Sequence, residues 1–329
     1  MSSVPRPPSR SISSAFIGWC QAWVDAWDRF FFTPSGPRHL AAIRIAAGLL
    51  CTWSCIVWLM DVEGFFGDAG WLRADEVWRM NDQPWQWSWY FATTSPELRL
   101  AAAIVALLAA IALTIGLATP VAAWVSLGAL VSAANRAPLN IFGFDDILGI
   151  LLITLAIGPA GRAWSLDRRL FAQGSGGRGG AGGRRVEAGD EHSVRGTIAI
   201  RILQLTLCVI YFFSGCGKLL GASWWEGTAL WGSVANGQYR TLDLTWMAGH
   251  TWLVNLITLS TLFWEVSYAA IVWPRLTRPI ALAMAVFVHL GIGLVMGMME
   301  FGLAMIVANM AFVGPLFGDG NPGRPAAER

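Results

Sequence analysis

One predicted transmembrane helix carries a row of polar side chains that could do chemistry inside a lipid bilayer. They are spaced three or four residues apart and so share one helix face: Arg201, Gln204, Cys208, Tyr211, Ser214 and Lys218. Lys218 is the only lysine among 23 lysine and arginine residues. A buried lysine amine can release its proton and act as a base or nucleophile, whereas an arginine stays charged. Two interpretations stay open: Lys218 is a base within the membrane, or a cation that reaches the outer interface or neutralises an acid.

Further polar residues lie within the apolar stretches that follow, at Glu265, His289 and Asn309. A charged group at the bilayer centre costs roughly 2.5–3.5 kcal/mol on insertion scales, so Glu265 is expected to be paired or protonated. His289 is either a packing residue with satisfied hydrogen bonds or a proton-transfer group. The five cysteines lack the spacing of metal ligands, so the sequence predicts no metal site. Because the deep polar groups are concentrated in the second half of the chain, we place the candidate site there.

The composition predicts that these residues are positioned by membrane helices. Hydrophobic residues make up 55% of the chain and charged residues 13%, where a soluble protein has about 25% charged residues. Eight apolar stretches approach the roughly 20 residues that cross a bilayer as a helix: residues 42–60, 98–119, 121–137, 147–159, 197–220, 251–273, 279–298 and 302–317. The predicted fold is an all-α polytopic integral membrane helix bundle with about eight transmembrane helices. The third and fourth stretches are the weakest, because Pro138 and the pair Asp145–Asp146 leave them shorter, so re-entrant segments are an alternative there.

The remaining segments predict how the chain is organised. Residues 1–14 are rich in Ser, Pro and Arg and are expected to be a disordered cytoplasmic tail. In residues 15–32 aromatic residues recur every three or four positions, which predicts an interfacial amphipathic helix. Residues 33–317 then form the membrane domain, interrupted by a flexible Gly- and Arg-rich linker at 172–192. Residues 318–329 are a second cytoplasmic tail.

The distribution of arginines predicts the orientation in the membrane. With the N-terminus inside, 15 arginines fall in inside segments and five in outside segments, so both termini are expected to be cytoplasmic. Arg44 and Arg201 lie near the inner ends of their spans and are expected to extend to the interface. The bias toward Arg, Ala and Gly indicates a GC-rich bacterial genome, and therefore a bacterial plasma (inner) membrane.

Several stretches, taken in order, resemble the HTTM (horizontally transferred transmembrane) domain, the membrane part of vitamin K-dependent γ-carboxylase. They are residues 32–34, 44–48, 64–72, 140–146, 159–167, 211–219 and 224–230. The stretch 211–219 includes the sequence SGCGK, which ends at Lys218. The resemblance extends from about residue 30 to residue 317.

This resemblance implies an enzyme in which Lys218 is the catalytic base. In the carboxylase, a lysine of this segment deprotonates reduced vitamin K, and O2 addition gives an epoxide and a strong base. That base removes a proton from a substrate glutamate, to which CO2 adds. Lys218 and His289 are then the expected catalytic residues, and menaquinol, O2 and CO2 the co-substrates. The expected quinone-binding residues are Tyr211, Ser214, Gln204, Glu265 and Asn309.

Two other functions stay open, since this sequence has no counterpart of the luminal domain that binds substrate in the animal carboxylase. One is a membrane accessory subunit without chemistry, for peptide maturation or export or for a thiol oxidoreductase. The other is a small-molecule transporter. A lipid-sized apolar pocket would favour the enzyme. A filled core with Lys218 directed to the outer headgroups would favour the subunit, and a water-filled path past Glu265 the transporter.

Overall fold

The computed structural model describes residues 12–80, 86–174, 192–239 and 241–314, which form α-helices and no β-strand. The first half contains α1 (Ile12–Phe32), α2 (Arg38–Met60), α3 (Val62–Phe66), α4 (Ala74–Met80), α5 (Pro96–Ile115), α6 (Thr119–Arg136), α7 (Gly143–Ile157) and α8 (Leu166–Gly174). The second half contains α9 (Val194–Leu219), α10 (Ala222–Trp225), α11 (Ala229–Val234), α12 (Thr251–Ile271), α13 (Arg278–Met296) and α14 (Met299–Asn309). All eight predicted apolar stretches form helices, which confirms the all-α bundle.

Five of these helices, α2, α5, α9, α12 and α13, are long and apolar enough to cross a membrane. The helices α7 and α14 are shorter, and α6 is less apolar. The chain is therefore a polytopic membrane protein by the length and composition of its helices. It stays a prediction that α6, α7 and α14 also cross the membrane, which would give eight spans in all.

The predicted segment boundaries need two corrections. Helix α1 begins at Ile12, so residues 12–14 are helical rather than disordered. Helix α8 continues to Gly174, so the first three residues of the predicted linker are helical. Residues 1–11, residues 175–191 and the tail 318–329 lie outside the described residues.

Helix α1 confirms the helix predicted at 15–32 and carries a row of exposed aromatic side chains. Phe16, Trp19, Trp23 and Trp27 are each more than half exposed, and the rings of Trp23 and Trp27 stack at 5.7 Å. Such a row suits the headgroup region of a bilayer. Its interfacial position stays a prediction.

The core of the bundle is built from leucines, isoleucines and alanines of α2, α5, α6, α7, α9 and α14. We define the upper end of the bundle as the one that carries residues 61–95 and 220–250, and the lower end as the one where α9 begins. At the lower end the structure corrects the prediction for Arg44. This arginine does not extend to the interface but is fully buried, and its Nη2 donates to the backbone oxygen of Trp164 at 2.5 Å.

Candidate functional site

Lys218 forms an ion pair with Glu265 between α9 and α12. The Lys218 Nζ lies 2.6 Å from the Glu265 Oε2 and donates to the Ser214 Oγ at 2.7 Å. The Ser214 hydroxyl in turn donates to the Glu265 Oε2 at 3.3 Å. The Glu265 side chain is 9% exposed and that of Lys218 24%. The expectation that Glu265 is paired is therefore confirmed, and its partner is the only lysine of the chain.

The pair lies in the interior of the bundle rather than at its upper surface. Glu265 is fourteen residues into α12, which places it roughly 21 Å below the upper end of that helix. Because α9 ends one residue after Lys218, the chain beyond it runs back along the upper halves of α12 and α13. The Leu230 backbone N–H donates to Thr258 at 3.1 Å, and that of Thr241 donates to Val295 at 2.9 Å. Lys218 therefore meets an acid within the bundle, which is one of the roles that the sequence left open for it.

The register of the pair is set by a close approach of α9 to α12. A Cβ at Gly215 would lie 2.9 Å from the Val266 backbone nitrogen, one residue after Glu265. Only a glycine leaves room for the two backbones to meet at this distance. Its position one turn before Lys218 brings the amine level with the carboxylate of Glu265.

This contact predicts opposite effects of two matched substitutions on α9. Gly215→Ala is expected to lower stability by about 1–3 kcal/mol, because the backbone of Val266 cannot move aside without separating the helices. Gly217→Ala meets nothing within 4 Å and is expected to keep or slightly raise stability, since alanine favours a helix. Thermal unfolding of both variants in the same lipid nanodiscs measures the difference. Equal stabilities would contradict the proposed role of Gly215.

A cavity of about 410 Å³ opens beside the ion pair, toward the upper end of the bundle. Its polar lining consists of Lys218, Glu265, Thr258, Thr261 and Ser233, and the rest is mainly apolar or aromatic. Its volume lies within the roughly 300–1,000 Å³ of ligand pockets. The wall comes from the ends of α9 and α10, from α11, α12 and α13, and from residues 244–247. The cavity therefore suits an apolar ligand whose polar end meets one ion pair.

Trp224 completes the surroundings of the amine. The Lys218 Nζ lies 5.3 Å from the centroid of its ring, within the range of a cation–π contact. The sequence analysis did not assign Trp224 to the site. It also missed Thr258, Thr261 and the wall formed by α11, because the segment after α9 carried no signal that it folds back into the bundle.

Three predicted site residues lie together in a packed cluster below the cavity. The Tyr268 hydroxyl donates to the Asn309 Oδ1 at 2.6 Å, and the Asn309 Nδ2 donates to the Tyr211 hydroxyl at 2.9 Å. His289 is buried, lies 5.9 Å from the Tyr211 ring, and its Nδ1 is 2.7 Å from the Ala285 backbone oxygen. None of these side chains lines the cavity. The cluster is therefore part of the packed core below the ion pair. A catalytic role of His289 stays a prediction.

Gln204 lies far from this site. It is fourteen residues before Lys218 on α9, a separation of roughly 21 Å. Its Nε2 donates to the Ala311 backbone oxygen at 2.7 Å, and its Oε1 accepts from Arg201 at 2.7 Å. The structure therefore brings Ser214 and Glu265 to Lys218, sets Tyr211 and Asn309 one layer below, and leaves Gln204 at the lower end.

Among the described residues no cluster of three Cys, His, Asp or Glu is placed to hold a metal ion.

Comparison with known proteins gives one match, to the family model of the HTTM domain over residues 187–316. No curated protein and no solved structure matches the chain significantly. The matched region contains α9 to α14, and therefore the ion pair and every residue that lines the cavity beside it. The part of the chain that holds the candidate site is thus similar to the HTTM domain, a domain found in vitamin K-dependent carboxylase-like proteins.

Proposed function

We propose that this protein is a membrane enzyme that binds menaquinol in the cavity beside Lys218 and uses this lysine as the base for its oxygenation. One observation carries the proposal: the only lysine of the chain faces an apolar, ligand-sized cavity within the region that matches the HTTM domain model. The interior position of Lys218 supports this reading over an accessory subunit with a filled core and a lysine at the headgroups.

The ion pair supplies a way to hold and move a proton. A proton on the Lys218 Nζ can pass to the Glu265 Oε2 along their 2.6 Å contact, which leaves a neutral amine without changing the total charge of the pair. Ser214 contacts both groups and fixes their geometry. A neutral amine at the cavity wall is then able to accept a proton from a bound hydroxyl group.

The apolar lining of the cavity would contribute to the reaction by excluding water. Because most of the cavity surface is apolar, water does not compete for a basic group formed inside it. In the proposed reaction menaquinol and O2 give the quinone epoxide and one water, so the quinol is oxidised and both oxygen atoms are reduced. CO2 would be consumed only if a glutamate substrate is also carboxylated, with release of one proton. The proposal places the chain in a bacterial plasma membrane with both termini in the cytoplasm.

The test is the conversion of chemically reduced menaquinone to its epoxide by purified protein in nanodiscs with O2. Wild type is expected to form epoxide. Lys218→Ala is expected to lose roughly 10²–10⁴-fold in rate, the usual contribution of a general base. Lys218→Arg keeps the charge but cannot release a proton, so a similar loss is expected.

Gly217→Ala is the control variant, since it alters the same helix without touching the site. It should keep the wild-type rate. A folded wild type that forms no epoxide, with or without a glutamate peptide and CO2, would refute the enzyme and favour the accessory subunit.

A further inference from the structure

A second cavity of about 220 Å³ lies at the lower end of the bundle, far from the Lys218–Glu265 pair. It is lined by the first half of α9, the first residue of α13, Trp273 after α12, Ser35 and the start of α2, and residues 311–314. Its polar lining is made of hydrogen-bond donors: Arg201, Arg278, Gln204, Thr197, Ser35 and His39. Within the part of the chain that the structure describes, no carboxylate lines it. The space is too small for a lipid-sized ligand but suits a small anionic group.

Arg201 is fixed at this cavity by neutral groups. Its Nε donates to the Phe30 backbone oxygen at 2.9 Å and its Nη1 to the Gln204 Oε1 at 2.7 Å. The guanidinium carbon also lies 4.0 Å from the centroid of the Phe30 ring. None of these contacts neutralises its charge.

Arg278 is held in the same way from α13. Its Nε donates to the Val272 backbone oxygen at 3.0 Å and its Nη2 to the Trp273 backbone oxygen at 2.6 Å. Over the described ranges neither Arg278 nor Arg201 forms an ion pair with an acidic side chain. Each guanidinium has five N–H donors, so both retain donors that these contacts do not use. Two positioned positive charges thus share one small cavity, and none of the described acidic side chains neutralises them.

We propose that this cavity binds a phosphate group, supplied either by an anionic phospholipid or by a small soluble phosphate. Guanidinium groups match the geometry of phosphate oxygens and bind them with paired hydrogen bonds. Basic pockets between transmembrane helices are a known way of binding anionic headgroups. Apolar side chains near these arginines are exposed, Leu276 at 86% and Ile280 at 64%, and offer a surface for acyl chains. This inference does not depend on the proposed function.

The sharpest variant places a carboxylate at the cavity without removing a structural contact. Ser35 lines the cavity and pairs with Ser193 through its backbone alone. Ser35→Asp therefore supplies an internal counter-charge, and Ser35→Asn is its neutral isostere. A second pair compares Arg278→Gln with Arg275→Gln, since Arg275 is an exposed neighbour that does not line the cavity.

The measurement is native mass spectrometry of the full chain titrated with phosphatidylglycerol, with phosphatidylcholine as the zwitterionic control, and in a separate arm with inorganic phosphate. Wild type, Ser35→Asn and Arg275→Gln are expected to bind phosphatidylglycerol alike. Ser35→Asp and Arg278→Gln should bind it roughly tenfold more weakly, as for the loss of one charge-assisted hydrogen bond.

Competition by inorganic phosphate would assign the site to a soluble phosphate, and lack of competition would assign it to a lipid headgroup. Equal binding of phosphatidylglycerol and inorganic phosphate by Ser35→Asp and Ser35→Asn would overturn the proposal. Because a misfolded Ser35→Asp would bind more weakly than Ser35→Asn, equal binding cannot be attributed to misfolding of that variant.

Discussion

Lys218→Met is expected to destabilise the protein by about 3 kcal/mol, the usual result of removing one partner of a buried ion pair. The remaining Glu265 carboxylate is 9% exposed and keeps only the Ser214 hydroxyl as a side-chain donor. Glu265→Gln should cost somewhat less, because an amide still accepts a hydrogen bond from the amine. The double variant Lys218→Met/Glu265→Gln leaves no charge unpaired. Its loss of stability should fall below the sum of the single losses by roughly 2 kcal/mol.

Reversible thermal unfolding in one lipid composition gives the four stabilities of this cycle. Arg73→Met is the control, since Arg73 forms a 3.0 Å ion pair with Asp75 whose side chains are 67% and 51% exposed. Water already solvates both groups, and no measurable change is expected. Additive losses in the cycle would show that Lys218 and Glu265 do not stabilise one another.

The helical fold and the pairing of Glu265 could be predicted because both follow from local rules. Apolar length identifies a membrane helix, and a charge within it requires a partner. The three- or four-residue spacing correctly placed Ser214 beside Lys218, since both belong to one helix face.

The depth of Lys218 could not be predicted, because spacing along α9 says nothing about its register against α12. That register depends on the contact of Gly215 with the Val266 backbone, which joins residues 51 positions apart. The same limit applies to Gln204. This residue shares a helix face with Lys218, but it lies at a lower level of the bundle, where other residues surround it. The limit also explains Arg44, whose burial depends on Trp164, a residue in a distant connection.

The cavity was the least predictable feature. Its wall includes α11 and residues 244–247, which appear in the sequence as an ordinary connection between two spans. Contacts such as that of Leu230 with Thr258 fold this connection against α12. No periodicity within the connection indicates those partners. Yet this connection supplies part of the wall of the cavity beside the ion pair.

Filling the cavity is expected to abolish quinol turnover while leaving the ion pair intact. Gly291 lines the cavity from α13, and a Cβ added there meets nothing within 4 Å. Gly291→Phe therefore directs a ring into the space proposed for the ligand, and its Cβ meets no neighbour. Gly232→Phe is the matched control, because Gly232 of α11 is exposed, does not line the cavity and also has nothing within 4 Å of an added Cβ.

The most direct measurement is therefore epoxide formation from menaquinol by wild type, Gly291→Phe and Gly232→Phe in the same nanodiscs, after equal thermal stability of the three has been established. We expect wild type and Gly232→Phe to turn over at similar rates and Gly291→Phe to lose at least roughly a hundredfold, since reactants that are not positioned do not react. Turnover by Gly291→Phe at the wild-type rate would show that the quinol does not bind in the cavity beside Lys218.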